Sequence, residues 1–294
     1  MKQPASYQPS TISHQPDSQQ GPLLTAQSRR LLESKIQLQN PKCMERFEKD
    51  ANPGVRGFLH RPATPCGDAL VLTHSAGSNC QAPLLVAVAT AFAEAGFAVL
   101  RCDLPFRQER PHGPPLPGGS ARDREGLQNA VQALRRLELG DQSARPEGPC
   151  HSGRDAHAPS SDPPGSFRRV FLGGHSYGGR QATMLAASDR GIVDGLFLLS
   201  YPLHPPRKPS EPRTAHFAKL RTRALFVHGS RDPFGTLEEM ESALKLIPAA
   251  TSLLPIEGAG HDLKRGRNPK VSVSDTQDQW QRTVVELFRA FVGE

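Results

Sequence analysis

The sequence predicts an α/β architecture: a doubly wound, mostly parallel sheet of about seven strands with helices on both faces. Three observations carry this expectation. Ala69 to Thr73 and Phe97 to Arg101 are short, nearly continuous apolar runs, the texture of strands buried on both sides. Between them Pro83 to Ala95 is rich in alanine and leucine at helical spacing and stops at Gly96, which completes a strand-helix-strand unit. Strand-like and helix-like segments then keep alternating to residue 292, as crossover connections on a parallel sheet require.

The order of elements follows from local pattern. Residues 1 to 22 are Gln-, Ser- and Pro-rich with almost no large apolar side chains, so burial cannot offset the entropy of ordering them, and a disordered tail is expected. Residues 23 to 50 carry Leu23, Leu24, Leu31, Leu32, Ile36 and Leu38 among charges, a spacing that permits an amphipathic helix. From 51 to 294 the texture is that of one folded domain, opening with a short strand at Val55 to His60. Residues 105 to 119 are Pro- and Gly-rich and read as a loop. Ala121 to Leu137 follows, an amphipathic helix with Leu127, Ala130, Val131, Leu134 and Leu137 on one face. The stretch 138 to 166 is too polar to pack and too long for an ordinary connection, and reads as a surface insertion of low complexity. Strands are then expected at Val170 to Leu172, Ile192 to Leu199, Ala224 to Val227 and Ser252 to Pro255, with helices over 179 to 188, 236 to 246 and 279 to 292.

Composition narrows the class of function. The net charge of +7 comes from arginines scattered among acids, and no nucleic-acid-binding motif accompanies it, so no nucleic-acid partner is expected. Five cysteines without a CxxC pair argue against a disulfide framework or a zinc site, and a reducing, cytoplasmic setting fits them. Lys2 has no apolar segment behind it, and no stretch approaches the roughly 18 apolar residues of a membrane span. Neither metal nor organic cofactor is implied, and oligomeric state is not readable.

The chemistry concentrates in Gly173-Gly174-His175-Ser176-Tyr177-Gly178-Gly179. Gly174 to Gly178 match G-x-S-x-G directly after a strand and before a helical pattern, where the motif builds a sharp turn that presents a nucleophilic serine. Small residues are needed two positions either side of Ser176, and Gly174 and Gly178 meet that need. By itself the match is compatible with an incidental serine in a glycine-rich turn. Its weight comes from an acid and a histidine that follow in the order such sites use. Asp232 comes just after the strand Ala224 to Val227, and His261 lies in Gly258-Ala259-Gly260-His261 after the last strand. A serine hydroxyl is a weak nucleophile at neutral pH; His261 would remove its proton and Asp232 would hold the imidazole tautomer. Separately Asp232 also suits a turn-capping role before Pro233, and His261 a surface loop; Asp194, His175 and His228 are the competing groups nearby. Two backbone N–H groups should stabilise the oxyanion, that of Tyr177 and one from His74 to Asn79, where Ala76 is chosen.

With strand, turn, acid and histidine in place, residues 54 to 292 resemble the α/β-hydrolase superfamily. The similarity is greatest to the dienelactone hydrolase-like group and the KANSL3/Tex30-like hydrolase domain, through Leu72-Thr73-His74-Ser75-Ala76-Gly77, Gly174-His175-Ser176-Tyr177-Gly178-Gly179-Arg180 and Gly258-Ala259-Gly260-His261. Ser75 stands where many relatives have glycine, and Ser176 where dienelactone hydrolases proper have cysteine, so that specific activity is not implied. Only Tyr201 to Arg223 separates two successive strands, leaving no room for a sizeable lid. The resemblance implies hydrolysis of an ester, thioester or related acyl bond in a small-molecule substrate. The alternative is a catalytically silent protein that keeps the fold for binding or scaffolding.

Overall fold

The computed structural model describes residues 44–137, 167–264 and 273–293, with the side chains of the last segment from Trp280 onward. The expectations for residues 1 to 43 and for the 138 to 166 insertion lie outside the described residues.

Eight strands form one sheet. They are β1 (Met44–Lys49), β2 (Val55–His60), β3 (Asp68–Thr73), β4 (Ala98–Cys102), β5 (Arg169–His175), β6 (Gly195–Leu199), β7 (Ala224–Gly229) and β8 (Thr251–Ile256). Their spatial order is β1-β2-β4-β3-β5-β6-β7-β8. The first three in that order pair antiparallel and all the rest pair parallel. The helices are α1 (Pro83–Glu94), α2 (Pro105–Glu109), α3 (Ser120–Arg135), α4 (Tyr177–Ser188), α5 (Leu237–Leu244) and α6 (Val273–Gly293).

The doubly wound sheet is as the sequence predicts, and the additions are local. β1 has the sequence MERFEK, with no apolar run and almost every residue exposed, so it carries no strand signal; its pairing with β2 from Met44↔His60 to Lys49↔Val55 makes it a strand. Met44–Lys49 therefore departs from the helix that the spacing over 23 to 50 permits. The expected loop at 105 to 119 begins with the single-turn helix α2, whose Pro105 sits at the first helical position, where a missing N–H costs nothing.

Both faces of the sheet are covered, which is why β3, β4, β6 and β7 are buried along their whole length. One side packs Leu127, Val131 and Leu134 of α3 and Leu185 of α4 against Val71, Leu100, Leu172 and Leu198. The other packs Val88 and Phe92 of α1 and Val284 and Phe288 of α6 against Leu70, Val99, Phe171 and Phe197. There Phe288 meets Phe92, Phe171 and Phe197 edge-on with centroids 5.1–5.5 Å apart, the arrangement the ring quadrupoles favour.

From β3 the chain winds outward to β4, then returns to place β5 on the other flank of β3. The carboxyl ends of β3 and β5 thus flank the point where winding reverses, and the crevice opening there is where sheets of this type bind ligands. The connection from β6 to β7 holds one regular element, the 3₁₀ turn Phe217–Lys219, and no helical lid.

Candidate active site

Ser176 sits between β5 and α4 with φ 53° and ψ −115°, a conformation that L-residues other than glycine rarely adopt. The surroundings hold it there. Its N–H donates to Leu199 O at 2.9 Å, and its carbonyl accepts the N–H of Arg180 at 3.0 Å. The turn is so tight that a Cβ on Gly174 would lie 2.6 Å from Gly178 C, and one on Gly178 would lie 2.6 Å from His74 O. Gly179, not singled out from sequence, is under the same constraint: its Cβ would fall 2.8 Å from Gly174 O.

Asp232 emerges beyond β7 in a turn closed by its own N–H donating to Gly229 O at 3.1 Å and by Phe234 N–H donating to its Oδ1 at 2.9 Å. The loop after β8 carries His261 against this turn, and glycine at 229 permits the contact, since a Cβ there would lie 2.4 Å from Ala259 O. The three side chains meet in a line. His261 Nδ1 is 2.8 Å from Asp232 Oδ2 and 3.0 Å from Oδ1, and His261 Nε2 is 2.8 Å from Ser176 Oγ. A carboxylate only accepts, so Nδ1 carries the hydrogen, which leaves the Nε2 lone pair to receive the serine hydroxyl. Asp232 and Ser176 are buried, and the His261 side chain is 22% exposed, enough for contact with a ligand.

Two further residues fix the imidazole. Phe234 lies nearly parallel to it, with centroids 4.1 Å apart at 30°. On another side His175 donates its Nε2–H to His261 O at 2.8 Å, with ring centroids 5.3 Å apart. Burial lowers the His175 pKa from 6.5 to about 4 against the opposing pull of its hydrogen bond to His261 O, so this ring is neutral at physiological pH. His175 therefore stands behind the imidazole rather than competing with it. The other competitors have structural tasks. His228 Nε2–H donates to Gly235 O at 2.9 Å, bracing the Asp232 turn, while Asp194 accepts Val170 N–H at 2.8 Å, at the start of β5 and so at the opposite end of the strand from Ser176. Phe234 was invisible as a contributor because stacking across a turn leaves no sequence pattern.

Tyr177 is the first residue of α4, so its N–H has no intrahelical acceptor and lies at the positive end of the helix. Its phenol donates to the buried Asp123 at 2.7 Å, and burial raises the pKa of that acid. Ala76 lies in the β3–α1 loop, which the Gly178–His74 approach places beside the turn bearing Ser176. Among the described residues no group of three or more His, Cys, Asp or Glu side chains is arranged to hold a metal ion.

Residues 160–293 match a family model described as an alpha/beta hydrolase domain. Similar solved structures include Est1E from Butyrivibrio proteoclasticus with ferulic acid bound, at 16% identity, TM-score 0.60, 84% of this chain and 100% of that one. A dienelactone hydrolase from Anabaena variabilis gives 17% identity and TM-score 0.55 over 81% and 96% of the two chains. XC6422 from Xanthomonas campestris, described as a serine hydrolase without lid, gives 13% identity and TM-score 0.54 over 84% and 96%. Topology and matches together show that the chain adopts the α/β-hydrolase fold. Within it, the stretch that matches the family model carries β5 to α6 and with them Ser176, Asp232 and His261.

Proposed function

We propose that the protein is a serine hydrolase that cleaves an ester, thioester or related acyl bond in a small molecule. The observation that carries this reading is the unbroken hydrogen-bonded line from Asp232 through His261 to Ser176 on a backbone held at φ 53°. In the first half-reaction Ser176 Oγ attacks the acyl carbon while its proton passes to His261 Nε2. Negative charge gathers on the former carbonyl oxygen, where the N–H groups of Tyr177 and Ala76 would receive it. Collapse expels the alcohol or thiol, which takes the proton from His261 and leaves an ester on Ser176. Water then attacks this acyl-enzyme, giving up a proton to His261, and the second collapse returns that proton to Ser176 and releases the acid. Asp232 stays ionised and stabilises the imidazolium in both steps.

The short β6–β7 connection supports small or protruding acyl substrates, because no helical lid closes over the crevice. The names of the similar structures, which include esterases from Rhodothermus marinus and Pyrococcus furiosus, support the same chemistry. No helix among the described residues is long and apolar enough to cross a membrane. Cys66, Cys80 and Cys102 are free thiols, which supports a reducing, cytoplasmic setting.

The test is p-nitrophenyl acetate turnover with intact-mass analysis during the steady state. A burst of nitrophenol and a mass gain of one acetyl group, both absent in Ser176→Ala, are expected. Turnover that survives in Ser176→Ala would assign the chemistry elsewhere.

A further inference from the structure

The β3–α1 loop is held from one side by a group that the hydrolytic scheme does not use. Arg107, on α2, is 6% exposed, yet none of its hydrogen bonds goes to a carboxylate. Its donors go to main-chain oxygens: Nε to Ser78 O at 2.8 Å, Nη2 to Ala76 O and Gly113 O at 2.9 Å each, and Nη1 to Arg110 O at 3.1 Å. Two of these four acceptors belong to the loop that carries Ala76. A buried guanidinium with carbonyl partners alone is a costly way to hold an arbitrary surface turn.

Peptide planarity shows what the arrangement fixes. Ser75 C=O and Ala76 N–H belong to one trans peptide and point in opposite directions. Ser75 O is held by the Nδ1–H of His74 at 2.8 Å and by Ser78 N–H at 3.2 Å. His74 is itself locked, since its Nε2 accepts Leu104 N–H at 3.0 Å and burial keeps the ring from charging. The next peptide is fixed by Arg107 through Ala76 O. Neither peptide can rotate without breaking a charged or buried hydrogen bond.

The same short helix reaches the other assigned donor. The guanidinium of Arg107 stacks on Phe106 at 4.9 Å, and Phe106 meets Tyr177 edge-on at 5.7 Å. Phe106 N–H also donates to Asp123, the acid that accepts the Tyr177 phenol.

We propose that Arg107 is the positioning residue of the oxyanion site, clamping the Ala76 and Ser78 carbonyls so that the loop presents its N–H to the tetrahedral intermediate. This rests on the serine-hydrolase reading. A loosened loop weakens binding of the developing oxyanion and leaves ground-state binding nearly intact, so the loss falls on kcat.

The experiment compares wild type with Arg107→Met, Arg107→Lys and Arg107→Ala, using p-nitrophenyl acetate kinetics, inhibition by an aryl trifluoromethyl ketone, and melting temperature. The proposal expects kcat to fall roughly 10- to 100-fold in Arg107→Met with KM within about twofold. The ketone inhibition constant should rise in parallel, the lysine variant should be intermediate, and millimolar guanidinium should partly restore Arg107→Ala. A folded Arg107→Met with unchanged kcat, or with the whole effect in KM, overturns it. Unfolding of both the Met and Lys variants also overturns it, because the residue would then serve stability alone. Inactivity of wild type itself would instead refute the hydrolase reading, and is seen before any variant is measured.

Discussion

His175 donates its Nε2–H to the main-chain oxygen of His261 at 2.8 Å, joining the strand that leads into Ser176 to the loop that carries its partner. The bond by itself favours a charged ring, but burial outweighs it and lowers the His175 pKa from 6.5 to about 4. The unfolded chain takes up a proton at this position below about 6.5 whereas the native state resists until about 4, so the unfolded state binds more protons throughout that window. Stability attributable to His175 is therefore complete above the window and falls as pH drops through it. Buried His60 and half-buried His216, both lowered to about 4, act in the same sense. Urea unfolding between pH 4 and 7 should show a shallower decline for His175→Gln than for wild type. Parallel curves would mean that His175 is not held neutral.

Phe234 stacks on His261 at 4.1 Å, restricting the ring to the rotamer that spans Asp232 and Ser176. Phe234→Ala should lower kcat on p-nitrophenyl acetate by about 10-fold while the pH midpoint of activity is kept, as expected for misplacement of an otherwise intact base. Phe234→Tyr, which retains the stacking face, should recover most of it. Equal activity in all three proteins would show that hydrogen bonds alone orient the imidazole.

Gly229 is the point where the acid turn and the histidine loop touch, with a would-be Cβ 2.4 Å from Ala259 O and 2.5 Å from Gly260 O. Backbone cannot yield as a side-chain tip does, so Gly229→Ala should cost about 1–3 kcal/mol and separate His261 from Asp232. Reduced urea midpoint together with activity loss larger than the unfolded fraction explains is the expected pair of results. Gly191→Ala is the control: its Cβ would meet nothing within 4 Å, although its φ of 83° still carries a backbone penalty. That variant should lose stability without a separate loss of activity per folded molecule.

Asp232 accepts from both His261 Nδ1 and the Phe234 N–H. Asp232→Asn keeps the size but offers a donor toward Nδ1, favouring the wrong imidazole tautomer. A fall in kcat of about 10⁴-fold is expected, with a similar loss for His261→Ala. Retention of more than a tenth of wild-type kcat by either variant would remove that residue from its assigned role.

Much of this site was legible because its parts obey local rules. A glycine pair brackets Ser176, Asp232 follows the apolar run of β7, which is buried throughout, and His261 follows the shorter run of β8, a half-buried edge strand. Parallel strands put all three beyond the same sheet edge, so chain order was enough to bring them together. What escaped the sequence depends on long-range contact. β1 is polar because it is an edge strand, and its pairing with β2 shows only in three dimensions. α2 is one turn long, shorter than a helical period can reveal, yet it places Arg107 against a loop about thirty residues earlier, as the sequence separations of its hydrogen bonds record. His175 read as a competitor because sequence proximity to Ser176 does not say which way a strand residue faces.

Labelling by a fluorophosphonate probe of wild type against Ser176→Ala, with both proteins shown to be folded by circular dichroism, measures most directly whether Ser176 is an activated nucleophile. The structure predicts stoichiometric labelling of wild type, mapped to Ser176 by peptide mass spectrometry, and none of the variant. A folded wild-type protein that stays unlabelled, or a variant labelled as fast as wild type, would contradict it.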